Sequence, residues 1–186
     1  MRIIAGTFKG RGIEAPSGRA TRPTADRARE AVFNILAHAP WSPGLEGRRV
    51  IDLFAGSGAM GLEALSRGAA FALFVETDAA ARGAIRANIE ALGLFAQTRV
   101  HRRDACNLGL RPAGLDAPFD LAFLDPPYGQ GLGELALQRL REGDWITPDA
   151  LITFECGADE TPAHPGFTLQ DERAYGAAKA LFLTPV

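Results

Sequence analysis

Little in these 186 residues asks for a special scaffold. There are two cysteines, Cys106 and Cys156, outside any CxxC spacing and without a neighbouring histidine cluster. That excludes a disulfide framework and a structural zinc site, and it fits a reducing, cytoplasmic setting. The longest purely hydrophobic run, residues 69–75, is far too short to cross a bilayer. Arg2 and a glycine-rich basic stretch follow Met1, so no signal-peptide core is expected there. Neither sign of charge dominates: the net charge is −2, with 47% hydrophobic and 23% charged residues, a globular composition that excludes disorder and fibres. A chain of this length buries about 70% of its unfolded surface, enough for one domain with a full core.

The charge is unevenly spread. Residues 1–24 carry Arg2, Lys9, Arg11, Arg19 and Arg22 against Glu14, a local balance of +4 that leaves −6 for the rest. A basic arm on an acidic body suits a polyanion, although a solvated N-terminus has the same composition. Residues 2–5 and 11–14 read as two short strands around Gly6, Gly10 and Gly12, followed by a Pro/Gly loop over 15–23. A helix is predicted from Thr24, its N-cap, with Ala28, Ala31, Val32, Ile35 and Ala39 on one face. Pro40, Pro43, Gly44 and Gly47 mark the boundary between an N-terminal part, 1–40, and a main domain, 41–186.

From residue 48 strands and helices alternate. Strands are predicted at 50–54, 72–75, 98–102, 119–124 and 151–156, with helices at 58–67, 78–92 and 132–141 between them. That order implies an α/β fold with a mostly parallel, doubly wound sheet. Residues 167–186 form two β-like runs around Tyr175-Gly176, a terminal antiparallel hairpin.

Gly56, Gly58 and Gly61 spell GxGxxG after a strand and at a helix start, a turn that lets a ligand approach the backbone closely. Glu76 closes the second strand 20 residues beyond Gly56, where an acid accepts from ribose hydroxyls; Asp78 fits better as the cap of the next helix. Asp104 closes the third strand and is a candidate acceptor for an adenine amine. Up to this point NAD and S-adenosylmethionine both fit. Leu124-Asp125-Pro126-Pro127-Tyr128 separates them. Prolines fix φ and donate no backbone hydrogen bond, leaving the carbonyls of Asp125 and Pro126 as acceptors for an amine. The Asp125 carboxylate adds another acceptor, and Tyr128 offers a ring face to a base.

The tetrapeptide resembles the (Asp/Asn/Ser)-Pro-Pro-(Tyr/Phe) motif of amino-group methyltransferases. The whole chain is similar to the bacterial 16S ribosomal RNA guanine-N2 methyltransferases of the RsmD type. Four blocks carry the resemblance: Arg2-Ile3-Ile4-Ala5-Gly6 with Lys9-Gly10-Arg11; Arg22-Pro23-Thr24 with Asp26-Arg27, Arg29-Glu30 and Phe33-Asn34; Phe54 to Gly58 through Gly61-Leu62-Glu63; and Asp125 to Tyr128. They span residues 1–128, and residues 157–186 match only loosely.

The resemblance implies a Rossmann-like class I methyltransferase fold with a small N-terminal β-hairpin and helix. It implies S-adenosylmethionine as methyl donor, no metal, and a guanine amine of 16S ribosomal RNA as acceptor. With only 20 basic residues in the chain, a folded or protein-bound RNA is expected as substrate, met in a partly assembled small subunit. Asp125, Pro126, Pro127 and Tyr128 then form the catalytic turn. Arg22, Thr24, Asp52, Phe54, Gly56, Ser57, Gly58, Glu76, Asp104 and Ala105 are the candidates to hold the cofactor, with Arg22 taking its carboxylate or an RNA phosphate. The basic arm supplies Arg2, Lys9, Arg11 and Arg19 as candidates for phosphate contacts. A cytoplasmic monomer is expected.

Competing readings are an adenine-N6 DNA methyltransferase, for which no separate DNA-reading domain is evident, and a nicotinamide-dependent oxidoreductase, which has no use for Asp125–Tyr128. A noncatalytic RNA binder is disfavoured by the intact Asp125 and glycine turn. Asn88 is expected to fix packing, Glu155 to have a hydrogen-bonding partner within an apolar strand, and the cysteines to be core residues. His38, His101 and His164 form no metal spacing.

Overall fold

The computed structural model describes residues 1–17 and 23–186; the side chains of Pro23 and Thr24 fall outside the description, as do Arg19 and Arg22. Helix α1 (Pro23–His38) is followed by β1 (Arg49–Leu53), α2 (Ala59–Ser66), β2 (Phe71–Val75), α3 (Ala79–Leu92), β3 (Thr98–His101), β4 (Phe119–Leu124), α4 (Leu132–Glu142), β5 (Ile146–Gly157), β6 (Phe167–Tyr175) and β7 (Ala178–Pro185). The seven strands form one sheet in the order β3-β2-β1-β4-β5-β7-β6. Strands β1 to β5 are parallel, and β7 inserts antiparallel between β5 and β6.

Short hydrophobic runs form the central strands because both faces of the sheet are covered. Alternate side chains enter two cores. Val50, Ala72, Phe74, Leu121 and Phe123 face a core shared with α1, α2 and α3. Ile51, Leu53, Leu73, Val75, Ala122 and Leu124 face a core shared with α4 and Trp145. Helix α3 starts as its sequence announces, with the Asp78 carboxylate accepting from the Ala81 N–H at 2.8 Å, and ends on left-handed Gly93. Within the main sheet, β5 departs from the expected pattern, beginning at Ile146 rather than 151. It runs through Pro148 beside a register irregularity against β4, where a proline is tolerated.

The N-terminal hairpin is tighter than the two strands expected. One bridge, Arg2 to Gly12, is flanked by Ile3 N–H to Arg11 O (2.9 Å) and Ile13 N–H to Met1 O (2.9 Å). The N–H groups that would extend the ladder go to α2 instead. Ile4 and Ala5 donate to the Glu63 carboxylate at 2.8 and 3.0 Å, and Phe8 donates to Ser66 Oγ at 3.0 Å. Gly6, at φ +81°, lies so close to α2 that a Cβ would stand 1.8 Å from Ser66 O. Helix α1 starts at Pro23, a residue suited to a first helical position, so Thr24 is inside the helix rather than its cap. Ile3, Ile13, Val32, Phe33 and Leu36 are buried in the same core as β1 and β2, so the hairpin and α1 pack as part of the main body.

Candidate active site

Register decides what meets at the sheet edge. Leu53 pairs with Val75 on one side and Leu124 on the other, and Val75 pairs with His101. The residues that follow these four strand ends therefore emerge side by side: the turn 54–58, Glu76, Asp104 and Asp125. Between β1 and β4 the chain order reverses, and open α/β sheets bind ligands at that crevice. The glycine turn forms one wall and Asp125-Pro126-Pro127-Tyr128 the other.

The glycine turn is held by its own protein. Phe54, Gly56 and Gly58 are all left-handed, with φ of 58°, 58° and 80°. Gly56 N–H donates to Glu76 Oε2 at 2.8 Å, Gly58 N–H to Ala55 O at 2.7 Å, and Gly61 N–H to Asp52 Oδ2 at 3.0 Å. Gly61 lets α2 lie against the sheet, since a Cβ there would stand 2.4 Å from the Phe74 ring. Asn88, buried on α3, donates to Ser57 O at 3.1 Å and Glu14 O at 3.0 Å and accepts from Glu14 N–H at 2.8 Å. It ties the N-terminal segment to the turn. Met1 Sδ lies 4.0 Å from Ser57 Oγ.

The acids of the edge differ. Asp52 is only 3% exposed, so it supports the turn from beneath. Burial raises its carboxyl well above the usual range, the Gly61 hydrogen bond opposes this, and Asp125 and Glu76 reinforce it. The second oxygen of Glu76 accepts from Asp78 N–H at 2.9 Å, and Arg82 braces the same stretch through the Glu76 and Thr77 carbonyls. Asp104 is exposed and caps the short turn 105–107 through Cys106 N–H at 2.8 Å, with Ala105 buried beneath it.

In the proline turn, Asp125, Pro127 and Tyr128 are exposed while Pro126 is buried. Gly133 at the start of α4 allows this, because a Cβ there would stand 2.9 Å from the Pro126 ring and 2.2 Å from Phe154. The Tyr128 hydroxyl donates to Glu155 Oε1 at 2.5 Å, which supplies the partner expected for Glu155. Partial burial, then that hydrogen bond, hold the phenol protonated far beyond its ordinary range. Sequence reasoning missed Glu160. It accepts from Gly129 N–H at 2.7 Å and from Gly157 N–H at 2.5 Å, contacts made to backbone groups, which leave no signature in residue types.

Other expected residues lie away from this edge. The tip of the N-terminal hairpin docks on Ser66, at the far end of α2 from the glycine turn. Exposed Lys9 is at that tip, Arg2 donates to Gly10 O at 2.7 Å, and Arg11 donates to Ala91 O in the last turn of α3 at 2.6 Å. Cys156 is buried and its thiol is pushed up to about 11, chiefly by burial; the Cys106 thiol is also raised, by burial and then Asp104. Neither is an activated nucleophile. Among the described residues, no group of His, Cys, Asp or Glu gathers to hold a metal ion, and no helix is long and apolar enough to cross a membrane.

The strand order, the antiparallel β7 and the glycine turn at the switch point define a Rossmann-like class I methyltransferase fold. Residues 1–184 match the family model described as conserved hypothetical protein 95. The chain belongs to this family, the ribosomal RNA small subunit methyltransferase D family. It is similar to the proteins of that name from Escherichia coli (37% identical over 180 residues, 95% of this chain and 85% of that one) and Haemophilus influenzae (35% over 178 residues, 95% and 89%). The solved structure of Escherichia coli yhhF is 34% identical and superposes with a TM-score of 0.84 over 100% of this chain and 97% of that one.

Proposed function

We propose that this chain transfers a methyl group from S-adenosylmethionine to the exocyclic N2 amine of a guanine in 16S ribosomal RNA, within a partly assembled small subunit. The observation that carries the reading is the register of β1 against β4, which sets the glycine turn beside Asp125-Pro126-Pro127-Tyr128. The named relatives, ribosomal RNA small subunit methyltransferases, supply the substrate class.

The donor set of the edge fits the cofactor. A dinucleotide pyrophosphate needs backbone N–H donors, and those of Gly56, Gly58 and Gly61 are already taken by Glu76, Ala55 and Asp52. The edge offers acceptors instead, at Glu76 and Asp104, suited to ribose hydroxyls and an adenine amine. That disfavours the nicotinamide reading. When bound, S-adenosylmethionine supplies an electrophilic methyl group. Gly56, Ser57, Gly58 and Phe54 line its adenosine side; Glu76 takes the ribose, and Asp104 with Ala105 the adenine. Arg22 and Thr24 are assigned to its methionine end by family resemblance.

The rest of the chemistry belongs to the chain. A guanine N2 lone pair is delocalised into the ring, so the amine is a weak nucleophile. The Asp125 carboxylate and the Pro126 carbonyl accept its two N–H groups and favour a pyramidal nitrogen. The nitrogen becomes acidic as the N–CH3 bond forms, and one of these protons leaves along the hydrogen bond to Asp125 or to water. Tyr128 stacks on the base once it has left its own stack. Most of the rate gain comes from position and fixed dipoles. The N-terminal residues 1–40 hold the RNA, with Arg2, Lys9 and Arg11 on phosphates.

The test is methyl transfer from labelled S-adenosylmethionine to unmethylated small subunits and to their naked RNA, followed by nucleoside analysis. N2-methylguanosine is expected with the wild type and is lost in Asp125→Ala, whose cofactor binding is retained. Methylation of adenine in DNA instead would move the substrate and keep the site. Full activity in Asp125→Ala would overturn the role of the turn.

A further inference from the structure

We infer that Glu155 and Glu160 are positioning residues that clamp the proline turn onto the end of β5, setting the ring of Tyr128 and the path of the chain just behind it. The inference rests on the functional reading above for its kinetic consequences only.

The turn needs such a clamp. Prolines stiffen residues 126 and 127, but Gly129 and Gly131 follow, both left-handed, with φ of 71° and 67°. A stiff dipeptide on a glycine hinge keeps its internal shape without keeping its place. Two acids, one in β5 and one just beyond its end, supply the place. Glu155, within β5, takes the Tyr128 hydroxyl. Glu160, three residues beyond the strand, takes Gly129 N–H with one oxygen and Gly157 N–H with the other. One carboxylate thus joins the segment after the catalytic turn to the end of the strand. Strand β5 is anchored in turn between β4 and β7, and Ala158 N–H donates to Ala177 O at the tip of the terminal hairpin. The hairpin of residues 167–185 stands behind the clamp.

The two acids use their oxygens differently, which makes the inference sharp. Glu155 needs one acceptor for Tyr128, and a glutamine carbonyl provides one. Glu160 needs two acceptors, and a glutamine turns an NH₂ group toward one of the N–H donors. Glu155→Gln is therefore expected to recover most of the activity that Glu155→Ala loses, whereas Glu160→Gln behaves like Glu160→Ala. Misplacement of a reacting group by about 1 Å costs on the order of 100-fold, so a kcat loss of roughly 10- to 100-fold is expected for both Glu160 variants, with the KM for S-adenosylmethionine unchanged. Tyr128→Phe and Glu155→Ala remove the same hydrogen bond, so the double variant is no slower than the worse single one.

The experiment combines these kinetics with amide hydrogen exchange at Gly129 and Gly157, read by NMR on the full chain. Faster exchange at both glycines in Glu160→Gln, with the sheet amides unchanged, is the expected result, and it separates loss of the clamp from loss of the fold. It stands or falls without reference to the substrate. If the wild type methylates no guanine, the functional reading fails while exchange still judges the clamp. Unchanged exchange at both glycines, wild-type kcat in Glu160→Gln, or independent losses in the Tyr128/Glu155 pair would overturn the inference.

Discussion

Asp52 shows how one residue can serve a site while opposing the fold. Its carboxylate caps the start of α2 through Gly61 N–H, yet it is buried and close to two other acids. Its folded pKa is raised above the unfolded value. The stability it contributes is present below the usual carboxylate range and lost as pH rises through the raised value. Asp52→Asn keeps an oxygen for Gly61 and removes the ionisation. The variant is expected to be at least as stable as the wild type at neutral pH and to vary less with pH above the carboxylate range. Denaturant unfolding between about pH 4 and 9 checks this; a pH profile identical to the wild type's would count against the burial account. At this scale the acids were legible as residue types at strand ends. Their partners were not: Glu76 binds Gly56 N–H and Asp78 N–H, and every residue except proline carries that donor.

At the scale of elements, the hairpin and α2 form one unit through Glu63. This carboxylate has no exposure and accepts from Ile4 N–H, Ala5 N–H and Arg67 Nε, the last at 2.8 Å. Glu63→Ala strands two partly buried N–H groups and a guanidinium, at a cost of about 2–4 kcal/mol. Urea unfolding measures the loss, and amide exchange at Ile4 and Ala5 should accelerate. A loss below about 1 kcal/mol would show that the hairpin docks by its apolar residues instead. The central strands and α3 were legible because parallel strands are continuous hydrophobic runs and because Asp78 and Gly93 bracket the helix. The hairpin strands were over-read: Ile4 and Ala5 have strand-forming composition at least in part, but their N–H groups are spent on a helix 58 residues away in sequence. Strand β5 was under-read because Pro148 argues against a strand except at an irregularity.

Across the whole molecule, the basic hairpin tip and the proline turn lie apart, separated by the length of α2, which at eight residues rises about 12 Å. An RNA that meets both must span that separation. Replacing Lys9 and Arg11 together by Ala should weaken RNA binding and reduce the salt slope of log K by about 1.5, two contacts at roughly 0.7–0.9 each. Filter binding or fluorescence anisotropy over a salt series checks it, and an unchanged slope would return both residues to the solvated surface.

The sequence by itself determined the alternation of strands and helices, the glycine turn, the proline turn and the separation of charge. Each of these is written in local residue types: hydrophobic period, conformational freedom of glycine, rigidity of proline. Only the tertiary structure decided which oxygen meets which N–H. It gave Glu63 to the hairpin, Asn88 to the glycine turn, and Glu155 and Glu160 to the proline turn. Those partners are 27 to 59 residues apart in the chain. Their choice follows from strand register and burial, which make an unpaired polar group costly, and neither can be read from neighbours in sequence.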